Sequence, residues 1–285
     1  MSRVNRVILL VLLLVGIPYY WLMLDNSAPP SKPQPVSIAQ LRALANAAGD
    51  RGPERIRFEL VATSTQMGNR IAAGTGLRSA ELHVLSYLLE YANGDPLLIG
   101  GGMAEVDARH AEMHSFSPQS QARVARALGK ARMLIPLSPI PEQLGALRMI
   151  TGTAKAKALD TNLAEQQTED RKGLPRKIAP GVVVIPASQF RIGARMIYVQ
   201  LASGREYLFA GSVSPIKENW LQQRLPARLV TDFGRKEDRS AMRSWLITLR
   251  ALKRQAPGLM IVTGNRVPRG AGMQHYFDES ANTLS

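Results

Sequence analysis

With 285 residues and 45% hydrophobic side chains, the chain can bury one sizeable core. Cysteine is absent, which excludes disulfides and thiolate metal sites. Four histidines remain, His83, His110, His114 and His275, few for a dinuclear zinc centre. The formal net charge of +14 favours anionic surroundings such as phospholipid head groups, nucleic acid or acidic glycans. Its basic clusters, at Arg171, Lys172, Arg176 and Lys177 and at Arg235, Lys236, Arg239 and Arg243, lack interleaved aromatics, so the sequence points to no specific nucleic-acid partner.

Residues 7–24, VILLVLLLVGIPYYWLML, are uncharged and match the roughly 17 to 25 residues that a helix needs to cross hydrocarbon. Arg3 and Arg6 precede this stretch and Asp25 follows it, so the positive-inside rule keeps the N-terminus cytoplasmic and puts the bulk outside, in the periplasm of a bacterial inner membrane. Tyr19, Tyr20 and Trp21 sit at the outer end, where amphipathic rings favour the interface. A cleaved signal peptide shares the basic start and apolar core, but no A-x-A site follows, and Pro29 and Pro30 crowd cleavage after Ala28. Residues 1–24 therefore read as a retained single-pass anchor. Residues 25–36, DNSAPPSKPQPV, read as a proline-rich, semi-rigid spacer, and residues 37–285 as the folded domain.

Residues 37–48 read as an N-capped amphipathic helix and 56–62 as a strand. Residues 83–91 end at the hairpin signal Asn93-Gly94, after which Leu97, Leu98 and Ile99 form a buried strand running into Gly100, Gly101 and Gly102. Helical spacing over 118–131, an apolar run at 133–137 and a helix from Pro141 follow. A polar, charge-rich stretch, 153–177, carries no element signal. Strands return at 182–186, 195–201 and 206–210, with Ser203-Gly204 as a turn. Residues 240–254 form a strongly amphipathic helix, and 259–262 a closing strand. Strand clusters alternating with helices fit a layered α+β protein.

Four landmarks fall in a known order: the hairpin and strand into the glycine turn, the strand into a proline-started helix, the hairpin IYVQLASGREYLFAG, and the late strand and turn IVTGN. Together they resemble the metallo-β-lactamase superfamily, particularly its lactonase-like members, over residues 58–266. The resemblance implies an αββα sandwich preceded here by one transmembrane helix. It also implies a zinc-binding stretch, T-H-x-H-x-D-H-x-G-G-L, which in this chain reads LSPIPEQLGAL. Ser138, Ile140 and Gln143 stand at the three histidine positions and Glu142 at the aspartate. Phe190 replaces the histidine of the next ligand turn, Ser212 the bridging aspartate, and Asn265 the final histidine, with Arg266 beside it. Ile99-Gly100-Gly101-Gly102 replaces I-D-T-G. Isoleucine has no donor atom, and neutral hydroxyl and amide oxygens bind zinc feebly beside imidazole.

The reading that follows is a pseudoenzyme acting by binding or assembly at the inner membrane, with no confident catalytic residue and no cofactor. Arg191 and Arg266 are its ligand-binding candidates, and an anionic lipid or envelope protein its partner. Two alternatives stand beside it. One is a hydrolase of lactone, ester or amide bonds with a noncanonical or single-metal site drawing on Glu142, His110 and Asn265, in which case zinc returns as cofactor. The other is a polyanion-binding envelope module. His110 and His114 are four apart and would share one face of a helix, but they lack the H-E-x-x-H pattern. The three glycines lack a following Lys-Ser/Thr, and they read as a tight turn rather than a phosphate cradle. Ser138 or Ser212 as nucleophile, with Glu142 as base, would have no histidine beside it.

Overall fold

The computed structural model describes residues 2–47, 49, 51–235, 237–267 and 270–275; Lys236, Ala48 and residues 276–285 lie outside that set. The chain starts with helix α1 (Arg3–Tyr19), of which no residue is buried, continuing as a wider π-type turn, Tyr20–Leu24. Together they are long and apolar enough to cross a membrane. Then come α2 (Ile38–Ala45), β1 (Arg55–Met67), α3 (Gly68–Ile71), β2 (Ser79–Glu90), β3 (Leu97–Ile99), α4 (Glu105–His110), β4 (Ser115–Phe116), α5 (Pro118–Lys130), β5 (Met133–Ile135) and α6 (Pro141–Met149). The second half holds α7 (Ala154–Asp170), β6 (Arg176–Ala179), β7 (Val182–Pro186), β8 (Arg195–Gln200), β9 (Glu206–Gly211), α8 (Lys217–Gln222), a π-type segment (Leu229–Arg235), α9 (Arg239–Gln255), β10 (Met260–Thr263) and β11 (Gln274–His275).

Among the described residues the strands form two sheets, ordered β11-β1-β2-β3-β5, with β4 also on β1, and β10-β9-β8-β7-β6. Side chains on a strand alternate between faces, and β7 shows how that builds layers. Val182 and Val184 enter the core between the sheets with Tyr87, Leu89, Ile99 and Phe209. Val183 and Ile185 point the other way, onto α2 and α9 through Leu41, Trp245, Leu249 and Leu252. Both faces of the sheet are covered, which is why β7 reads VVVIP without polar alternation. Outside the other sheet, Val84, Leu98 and Leu134 pack on α5, α6 and α7 through Val124, Leu128, Ala146 and Leu159. This is the αββα layering expected from the landmarks.

Caps explain several helix starts. Ser37 accepts from the Gln40 N–H at 3.2 Å, and Asp238 from Ser240 and Ala241 at 2.8 and 3.1 Å. Pro141 fills the first turn of α6.

The structure corrects the reading in places. The stretch expected to carry no element contains α7 and β6. Helix α7 buries Leu159 and Leu163 but also Gln166 and Asp170, so its apolar face is broken by polar residues that are nonetheless inside. Asp170 meets Arg195 at 2.6 Å and Arg176 at 2.8 Å, and Gln166 binds Arg195 at 2.7 Å and the Leu134 carbonyl at 3.0 Å. His110 ends α4, and Glu112 at φ 51° breaks the helix before His114, so the two histidines share no helical face. The proline-rich spacer runs extended, but it is tied along α9: Gln34 N–H donates to Thr248 Oγ1 at 2.8 Å and its side chain to Ser244 at 2.9 Å. Ser31 bonds the Ser240 carbonyl at 3.1 Å.

Candidate functional site

A cleft of about 340 Å³ opens where the loops at one end of the two sheets converge. The β5–α6 loop brings Leu137, Ser138, Ile140, Glu142 and Gln143; the turn after β9 brings Gly211 and Ser212; the turn after β10 brings Gly264 and Asn265. The degenerate positions therefore do gather, apart from Phe190. That side chain is buried in the core under α9. Arg266 is also absent from the cleft lining and lines a separate surface hollow with Lys217, Trp220 and Met260. Arg191 does line the cleft, its guanidinium 5.7 Å from the Phe190 ring.

Backbone packing holds the loops in place. Gly101 N–H donates to the Gln143 carbonyl and the Gly101 carbonyl accepts from the Ala146 N–H, both at 2.7 Å, while Gly145 N–H donates to the Gly102 carbonyl at 2.9 Å. A Cβ on Gly145 would come within 2.3 Å of Met103, and one on Gly264 within 2.3 Å of the Gly211 carbonyl. The three glycines thus clasp the start of α6, as a tight turn should, and the N–H groups of Gly100 and Gly101 are spent on the carbonyls of Ile135 and Gln143.

Several replaced side chains have structural work. Gln143 Oε1 accepts from the Leu137 N–H at 3.1 Å. Asn265 donates through Nδ2 to the His83 carbonyl at 3.2 Å, and its own carbonyl accepts from His83 N–H at 3.0 Å. Ser138 is buried, and Ser212 Oγ is sealed from solvent without a hydrogen-bond partner. His83 lines the same cleft, which corrects the expectation that no histidine sits with these serines. Its Nδ1 accepts from Val267 N–H at 3.3 Å and its Nε2 lies 3.7 Å from Glu81, so both ring nitrogens face groups other than the serines.

The charged residues of the cleft were mostly not legible as site residues. Glu237, with its side chain only 3% exposed, takes the Arg191 Nε–H at 2.7 Å and a second, shorter bond from Nη2 on the same oxygen; its Oε2 is buried without a partner. Arg235 sits 3.9 Å from Glu237. Desolvation, then the neighbouring Arg191 cation, hold Arg235 below the ordinary guanidinium range, while Glu237 and Glu142 oppose them and Arg70 adds to the repulsion. Glu112, from the turn after α4, also lines the cleft. The sequence offered little to find this group: Arg70 lies on a short hairpin tip, and Glu237 precedes a helix cap far from any motif.

This donor set does not fit zinc. At the motif positions the cleft offers an isoleucine, two hydroxyls, two amides already engaged with backbone and a single carboxylate, Glu142, and beside them stand guanidinium groups that repel a dication. Among the described residues, no group of three or more histidine or carboxylate side chains is placed to hold a metal. His110, offered with Glu142 and Asn265 as a noncanonical ligand, is not part of the cleft.

Solved structures share this architecture. The crystal structure of a quorum-quenching N-acyl homoserine lactone lactonase matches with a TM-score of 0.59 at 14% identity, over 80% of this chain and 98% of that one. An N-acyl homoserine lactone hydrolase with the product N-hexanoyl-L-homoserine at its catalytic metal center gives 0.59 and 14%, over 80% and 99%. A B. thuringiensis AiiA mutant with N-decanoyl-L-homoserine at its active site gives 0.58 and 14%, with the same coverage. No protein-family profile matches the chain, and no curated protein does. The chain has the fold of these lactonases, the metallo-β-lactamase fold that its landmarks resemble.

Proposed function

We propose that this chain is a membrane-anchored protein of the metallo-β-lactamase fold that acts by binding, not by zinc hydrolysis, with its domain on the periplasmic side of a bacterial inner membrane. The observation that carries this reading is the ionic group Arg191, Glu237, Arg235 in the cleft, together with neutral side chains at the positions where the family's ligands would stand, Glu142 excepted. Zinc hydrolysis needs a metal to polarise the carbonyl and ionise water near neutral pH. A cleft that puts guanidinium groups there suits a carboxylate or phosphate on the ligand instead.

The anchor is supported by its contacts. Tyr19 Oη accepts from Asn69 Nδ2 at 3.3 Å, and Asp25 meets Arg228 at 2.6 Å. Removing residues 1–24 as a signal peptide would discard the first of these, which favours a retained helix.

The test is metal content. Full-length protein, purified in detergent and exposed to zinc, should retain none after dialysis; one tightly held zinc per chain would defeat the reading. The rival, a hydrolase with a single-metal site, draws on His83, Glu112 and Glu142 sharing one cleft. It requires lactone, ester or amide turnover that chelators abolish and that Glu142→Ala removes.

A further inference from the structure

The membrane helix is not followed by a free tether. Trp21 meets Phe233 edge-on with ring centroids 5.9 Å apart, and the Arg228 guanidinium lies 5.5 Å from the Trp21 ring. Leu229 and Phe233 flank Ile17, Pro18, Trp21 and Leu22 and are 40% and 60% exposed. If Trp21 lies at the outer boundary of the bilayer, as an aromatic at the end of a spanning helix does, then Phe233 lies within about one ring's width of that boundary. The other side of the helix end meets the β1–β2 tip. Asn69 bonds Tyr19 there, and a Cβ on Gly74 would lie 3.6 Å from the Leu24 carbonyl. That tip exposes Leu77 at 62%, with Arg70 and Arg78 also exposed.

These two segments are also walls of the cleft: Val230 and Arg235 come from one, Arg70 and Ile71 from the other. Both carry exposed apolar side chains interspersed with cations. That mixture suits the boundary of an anionic bilayer, where the acyl region takes the apolar groups and the headgroups take the guanidinium groups. Asp25 and Asp232, on the same side, are bonded to Arg228.

We propose that the Leu229–Arg235 segment and the β1–β2 tip form a second membrane contact, seated in the headgroup layer beside the helix, so that the cleft borders the bilayer and meets its ligand at the lipid surface. This rests on the anchoring reading above. It makes the domain a fixed body on the membrane, its far end, the Asn93-Gly94 turn, standing away by the length of β2, roughly 40 Å at about 3.4 Å per residue.

Because the chain has no cysteine, single introduced cysteines can be spin-labelled without background. Full-length Leu10→Cys, Leu77→Cys, Phe233→Cys and Ala92→Cys proteins, in nanodiscs containing anionic phospholipid, would be compared for relaxation by oxygen, which enters the bilayer, and by a nickel chelate, which does not. The expected order is Leu10 deep in hydrocarbon, Phe233 and Leu77 at the acyl–headgroup boundary, and Ala92 in water. Labels at Phe233 and Leu77 as nickel-accessible as at Ala92, with Leu10 deep, would overturn the second contact alone. A water-exposed Leu10 would overturn the anchor itself.

Discussion

Two of the clusters of arginine and carboxylate in this molecule differ in what their charges face. Under α7, Asp170 and Arg195 are each about 1% exposed and lie 2.6 Å apart, and Gln166 and Arg176 complete the group between helix and sheet. In the cleft, Arg191 and Glu237 make a comparable pair, but Arg235 beside them is left more than half exposed and faces open volume. A buried pair that faces only protein holds elements together; one that borders a cavity with a spare cation is available to a ligand. On the proposed reading, the same residue types serve as a strut in one place and as a receptor in the other.

Breaking the strut gives the largest effect. Asp170→Asn removes the charge that Arg195 and Arg176 share and leaves one buried and one half-buried cation without it. Loss of one partner of a buried pair costs about 3–5 kcal/mol, so denaturant unfolding of the full chain should show a drop of that size. A change under about 1 kcal/mol would mean that α7 is held by Leu159 and Leu163 alone.

In the cleft the cost should be smaller and the binding consequence larger. Glu237→Gln frees Arg191 from its counter-ion, and because Arg191 keeps partial access to water the stability loss should be about 1–3 kcal/mol. Affinity for inorganic phosphate, read by calorimetry, should rise, since the carboxylate no longer competes for the guanidinium groups. If Glu237→Gln lowers phosphate affinity instead, the pair is a strut like Asp170 and Arg195, and the distinction drawn between the clusters fails.

This contrast also explains what the sequence disclosed. Helices α5 and α9 announce themselves because burial follows a period of 3.6 residues, as in Met242, Trp245, Leu249 and Leu252, and the longer strands because they are apolar runs between turn signals, as in β7. Helix α7 did not, because Gln166 and Asp170 take inward places that the pattern reserves for apolar side chains. The cleft was half legible: Ser138, Ile140, Glu142, Gln143, Ser212 and Asn265 could be placed because each sits beside a glycine or proline turn whose backbone geometry persists. Glu237, Arg235, Arg70 and His83 are brought in by tertiary approach of separate elements, and no spacing encodes that. Arg266 shows the converse, since one step along a turn carried its side chain to a different surface.

A third cluster for comparison is the ionic contact between Asp25 and Arg228, which ties the helix end to the domain. Burial alone would raise the Asp25 carboxyl, but the hydrogen bond from Arg228, helped by the Ser27 N–H and hydroxyl, outweighs it and holds the group at about 2, against an ordinary 3.8. A carboxyl lowered by folding contributes stability that is fully present above its unfolded value and disappears as pH falls through its folded one. The tie should therefore hold at pH 5 and loosen between about pH 4 and pH 2. A spin label at Pro29→Cys should gain mobility across that window, and Asp25→Asn should show the gain already at pH 7. Mobility independent of pH down to 2 would assign the strap's order to its bonds with α9 instead.

The smallest effect tests the chemistry most directly. Ser212 Oγ is enclosed without a hydrogen-bond partner, and an unpaired buried hydroxyl is a cost to the folded state, not a contribution. Ser212→Ala removes that cost at nearly unchanged volume, so stability should stay within roughly 0.5 kcal/mol or rise slightly. Phosphate affinity should not change, because the guanidinium groups that would carry it are elsewhere in the cleft. A serine acting as nucleophile obeys a different rule: its loss would abolish turnover of any ester or lactone that the protein cleaves while leaving binding intact. Turnover that vanishes in Ser212→Ala at constant affinity would make the cleft catalytic after all, by a covalent route that its missing zinc ligands do not forbid.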